Sequence, residues 1–212
     1  MKALGRFWLR MAAIVAIGLA CLVAAYRYRT SQRPGSVPRD VQREGLRLVA
    51  QILRKVAATD FGRSRRGRLL AEKIGDFIRR DRLIFTPDIS WQAGYRRESL
   101  GYEALYVKVL RIGGRLLHQE PEFIAEGIFH EAVHALRGRG AHSSIEEECD
   151  GFAAGLAAGA AVTGANLPDV LLIDGEPLAR FVLRSYPNLP RNPDYRPVGQ
   201  SRQWLLRRTG LR

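Results

Sequence analysis

A chain of 212 residues, 46% hydrophobic and 26% charged, has ample apolar material for a core, which excludes a wholly disordered or fibrous protein. Its two cysteines exclude a disulfide-stapled scaffold. The formal net charge is +13, and lysine occurs only at Lys2, Lys55, Lys73 and Lys108, so the cations are nearly all arginine. A basic surface can attract anionic lipid, nucleic acid or an acidic substrate. The arginines are scattered, however, and no aromatic-interleaved signature accompanies them, so a GC-rich coding bias is the simpler reading and a nucleic-acid partner is not expected.

The N-terminus places Lys2, Arg6 and Arg10 before an apolar run from Met11 to Ala25, followed by Tyr26-Arg27-Tyr28-Arg29. The run is short for a membrane span, but Trp8, Tyr26, Tyr28 and snorkelling arginines can extend it. An uncleaved single-pass anchor is the preferred reading of 1–29. A signal peptide cleaved after Val23-Ala24-Ala25 is the alternative. The expected location is a bacterial inner membrane with the large domain periplasmic or extracellular, or export after cleavage. The flanking charges do not settle orientation. Residues 30–39, with Ser31, Pro34, Gly35, Ser36 and Pro38, read as a linker to a domain over 40–190.

Within the domain, Asp40–Ala58 and Arg68–Asp81 carry apolar residues at helical spacing, separated by a break containing Gly62, Ser64 and Gly67. Leu83-Ile84-Phe85 reads as a short strand. Leu105–Ile112 is the strongest strand signal, and Arg115–His118 can pair back on it across Gly113-Gly114. Helices followed by a small sheet and further helices predict an α+β domain, mainly helical. Leu105–Ile112, if it forms the sheet edge over a cleft, is a surface to which an extended peptide can add.

The chemistry concentrates at His130-Glu131-Ala132-Val133-His134, an H-E-x-x-H. Pro121 suits a first helical position, Glu122 the positive end of the dipole, and Gly138 a C-terminal stop. The apolar residues Phe123, Ile124, Ile128, Ala132, Val133, Ala135 and Leu136 share one face, which predicts a helix over Pro121–Arg137. Histidines at i and i+4 then lie one turn apart on one face and can reach a single zinc ion, with Glu131 beside it to accept a proton from water. A site of this kind needs a third protein ligand. Ser143-Ser144-Ile145-Glu146 reads as a capping box opening another helix, which brings Glu146, Glu147, Glu148 and Asp150 close behind the motif. On that helix Gly151, Gly155 and Gly159 recur every four residues, a face that permits close approach of the motif helix.

Glu146 and Asp150, spaced i and i+4, make this part of the chain resemble the gluzincin zinc metallopeptidases, in which H-E-x-x-H is followed by a helix bearing E-x-x-x-D. The resemblance covers about Pro121 to Ala161. It implies His130, His134 and Glu146 as zinc ligands, Glu131 as the catalytic base, and Asp150 as the carboxylate that orients a motif histidine. Glu146 follows His134 by twelve residues, a shorter connection than that family usually has. His142 is an alternative third ligand, as is Glu147 or Glu148 if the helix is rotated. The resemblance further implies a zincin-like fold, a Zn2+ cofactor, and peptide or protein substrates hydrolysed by activated water.

The tail contributes a helix over Glu176–Tyr186, a proline-rich extended stretch from Tyr186 to Pro197, and either a short terminal helix or disorder around Trp204. Residues 191–212 are expected to run extended over the surface. His142, Arg137 and Tyr106 are candidate donors to a developing oxyanion. The alternative to a peptidase is a catalytically inactive, membrane-anchored binding protein with an Arg-rich surface and a structural or vestigial metal site.

Overall fold

The computed structural model describes residues 37–97, 102–138 and 144–211, which belong to one compact unit, Ser36–Arg212. The 1–29 segment and His142 lie outside the described residues. Among the described residues no helix is long and apolar enough to cross a membrane.

The unit is α+β, with helices predominating. Helix α1 (Arg39–Ala57) is followed by a single turn, α2 (Asp60–Arg63), and by α3 (Arg65–Arg79). Thr59 and Ser64 cap the latter two by accepting the backbone N–H groups of Gly62 and Gly67. The sheet comprises β1 (Leu83–Thr86), β2 (Ala93–Arg97), β3 (Glu103–Ile112) and β4 (Arg115–His118). The ten residues of β3 form its spine. The first half of β3 lies between parallel β1 and antiparallel β2, and the second half pairs with β4. The first half of the Leu105–Ile112 strand is therefore interior, not an edge. The edges beside it are β1 and β2, and the sequence of β2, Ala-Gly-Tyr-Arg-Arg, carries no alternation of apolar residues and gave no strand signal.

Helix α4 (Pro121–Arg137) has the predicted bounds, with proline in its first turn and Gly138 in the left-handed conformation at its end. Its inner face buries Ile124, Ile128, Phe129, Ala132 and Val133, whereas Phe123 and Leu136 from the expected stripe are exposed. Helix α5 (Ile145–Thr163) packs along α4. It stands between two apolar cores. Ala154 and Ala158 belong to the larger core with α1, α3, the sheet and α4, and Ile145, Cys149 and Ala153 to a smaller one. The smaller core is completed by a two-residue hairpin, β5 (Leu172–Ile173) and β6 (Glu176–Pro177), with α6 (Leu178–Ser185) and α7 (Arg202–Thr209). Residues 191–198 are irregular, yet they pack on α5 through the carboxylates described below, and α7 closes the unit behind them.

Candidate metal centre

The glycine stripe sets how α4 and α5 meet. A Cβ added at Gly155 would fall 2.6 Å from the backbone oxygen of Glu126, and one at Gly151 would fall 3.0 Å from the His130 ring. At Gly155 no side chain larger than hydrogen fits while the helices stay this close, and at Gly151 one fits only if the His130 ring gives way, so the stripe on α5 faces α4 directly. Residues of α5 that lie on this face are brought to the motif histidines.

At about 100° per residue, Glu148, Gly151, Gly155 and Gly159 share one side of α5, while Glu146 and Asp150 lie on the opposite side. The side chains follow that geometry. His130 and His134 turn their Nε2 atoms towards each other at 3.1 Å. Glu148 stands against both, with Oε2 3.4 Å from His130 Nε2 and Oε1 3.5 Å from His134 Nε2. These three residues form the group among the described residues that can hold a metal ion.

The donor set fits such an ion. Ligand atoms about 2.0–2.1 Å from a tetrahedral zinc are separated by roughly 3.3 Å, close to all three observed spacings. Glu147, on the flank of the stripe, accepts a hydrogen bond from His134 Nδ1–H at 2.8 Å. A carboxylate there fixes the ring orientation and leaves Nε2 directed at the ion position. Burial alone would lower the pKa of His134. The hydrogen bond to Glu147 and the charges of Glu131, Glu148 and Glu147 outweigh it and push the ring up to about 9. The field at this point favours a positive charge.

Glu146 and Asp150 are occupied elsewhere. Glu146 accepts Arg191 Nε–H at 2.7 Å and the backbone N–H of Asn192 at 2.6 Å. Burial would raise this carboxyl, but those two hydrogen bonds hold it below its usual range. Asp150 meets Arg66 Nη1 at 2.5 Å and accepts the Tyr195 hydroxyl and the Val198 N–H, each at 2.9 Å. The two carboxylates do share a helix face, as their spacing predicted, but that face binds the 191–198 segment and contacts neither histidine. Among the described residues it is Glu148, not Glu146, that stands beside both histidines, and Glu147, not Asp150, that meets a histidine ring.

Glu131 lies at the edge of a cavity of about 560 Å³ that opens on the histidines. Gly127 lets β2 come close to α4, since an added Cβ would meet the Cβ of Ala93 at 2.9 Å. This approach allows the backbone N–H of Tyr95 to donate to Glu131 Oε2 at 2.8 Å. The far wall is aromatic and aliphatic, with Phe152, Leu156, Phe181 and Tyr186. Trp91, 64% exposed at the mouth, stacks on Tyr186 with ring centroids 6.5 Å apart. Burial, and then the charges of Glu148 and Glu131, push the Tyr186 hydroxyl up to about 12, which keeps it a proton-bearing donor.

Of the donors considered from sequence, Tyr106 is buried within β3 and Arg137 lies over the Tyr195 ring at 4.5 Å. Neither lines the cavity. No protein-family model matches this chain, and no curated protein and no solved structure matches it either.

Proposed function

We propose that the chain is a zinc-dependent peptidase whose ion is held by His130, His134 and Glu148. The observation that carries this reading is the convergence of those three side chains at 3.1–3.5 Å beside a cavity with Glu131 at its edge. Zinc in such a site acidifies water towards neutrality and acts as a Lewis acid on a carbonyl group.

Glu131 is the general base. Its Oε2 is anchored by the Tyr95 N–H, so the carboxylate can accept the proton of the attacking water at Oε1 and return it to the departing amine. Glu147 holds the imidazole of His134 in place during these transfers. Tyr186 is the hydroxyl of the cavity wall available to a carbonyl oxygen that gains negative charge. Edge strand β2 borders the cavity through Ala93 and Tyr95 and offers backbone groups to an extended substrate, in place of the interior β3. Anchoring to a membrane by residues 1–29 remains part of this proposal, on the sequence argument alone.

A binding protein with a structural metal site is the second reading, favoured by the same Tyr95–Glu131 hydrogen bond, which would then serve only to fasten β2 to α4. Glu131→Gln separates the two in the full-length protein. A peptidase keeps its zinc and its fold but loses turnover of a quenched peptide library by roughly 10²–10⁴-fold. A wild-type protein that carries zinc and cleaves nothing, or a variant that cleaves as well as wild type, would overturn the proposal.

A further inference from the structure

The cavity contains an acidic side chain that the proposed chemistry does not use. Glu126 lies one helical turn before His130 on α4 and lines the cavity together with Trp91, Ala93 and Leu156. Among the described residues no hydrogen bond or ion pair reaches its carboxylate. By contrast, Glu131 accepts the Tyr95 N–H and Glu148 faces the histidines.

The space for this side chain is built into α5. A Cβ at Gly159 would fall 2.7 Å from both Cγ and Oε1 of Glu126, so even alanine there would displace it. Burial raises the Glu126 carboxyl, and the charge of Glu122, one turn earlier on the same helix, raises it further. A cation would relieve both effects.

The chemical class of that cation follows from the walls. Helical side chains all lean the same way, so the carboxylate is offset from the His130 ring by the rise of about 6 Å between the two residues. A group that reaches it from a bond positioned at the histidines must be long, apolar along its stem and positive at its tip. Lysine and arginine side chains have that form.

We propose that Glu126 selects substrates with a lysine or arginine beside the scissile bond. The methylene stem lies along Ala93 and Leu156 with Trp91 at the mouth, and the cationic head pairs with Glu126. The location of the bond rests on the peptidase reading; recognition of the cation does not.

The test is equilibrium binding to the full-length, zinc-loaded Glu131→Gln variant. The probes are fluorescent hexapeptide pools with lysine, arginine or norleucine fixed at each position in turn. At one position the basic residue should bind about tenfold tighter than norleucine, as for one partly desolvated charged hydrogen bond. Adding Glu126→Gln, which preserves shape, should abolish that difference and leave norleucine binding within about twofold. Absence of any basic preference, or a preference untouched by Glu126→Gln, would overturn the assignment. A preference in binding combined with no cleavage by zinc-loaded wild type would refute the peptidase reading and leave the role of Glu126 standing. Cleavage without a basic preference would do the reverse.

Discussion

Asp150 is fully buried and Arg66 is 2% exposed, and the two meet at 2.5 Å behind the candidate metal centre. The Asp150 carboxylate also receives the Tyr195 hydroxyl and the Val198 N–H, so one side chain binds α3 and the 191–198 segment to α5. Asp150→Ala would leave the Arg66 charge buried without its counter-ion and strand two further donors. Removal of one partner from a buried ion pair costs about 3–5 kcal/mol, against which the better helix propensity of alanine returns only a few tenths of a kcal/mol. For a domain of this size, the melting temperature should fall by roughly 6–20 °C. Urea and thermal unfolding followed by circular dichroism measure this directly. The double variant Arg66→Leu/Asp150→Leu should recover much of the loss, because an apolar pair leaves no uncompensated charge. Zinc content of the folded Asp150→Ala protein should equal that of wild type, since Asp150 contacts neither motif histidine. A stability loss below about 1 kcal/mol, or loss of zinc from a folded variant, would refute this reasoning.

Two further outcomes follow from how α4 and α5 meet. Glu147→Ala removes the acceptor of His134 Nδ1–H and should weaken zinc affinity about 10–100-fold in a chelator competition, with the fold retained. Gly155→Ala places a methyl group 2.6 Å from the Glu126 backbone oxygen, where a flexible side chain cannot yield, and should destabilise the protein by about 1–3 kcal/mol in urea. An unchanged urea midpoint would mean that the two helices are packed more loosely than described.

The motif helix was legible because local chemistry marks both its ends. Pro121 opens it, Gly138 adopts the left-handed conformation that closes it, and the apolar spacing between them is helical. The carboxylate beside the histidines was harder to read, because an i, i+4 acidic pair identifies a helix face without saying what that face meets. The glycines held the missing information. Gly159, Gly155 and Gly151 define the side of α5 that approaches α4, and one turn back along it lie Glu147 and Glu148, not Glu146. Ser144 caps the helix by accepting the Glu147 N–H.

Strand β2 was missed because packing against α4 and pairing with β3, rather than its own composition, make it a strand. The 191–198 segment has no periodicity, and its role depends on carboxylates 45 or more residues earlier in the chain. Contacts of that range leave no local signature.

Glu148, with His130 and His134, is proposed to hold the ion. Bound zinc per chain, measured on the full-length protein and on His130→Ala, His134→Ala, Glu148→Ala and Glu146→Ala separately, tests it most directly. About one zinc is expected in wild type and in Glu146→Ala, and a sharp loss in the other three variants. Zinc retained in Glu148→Ala but lost in folded Glu146→Ala would contradict it.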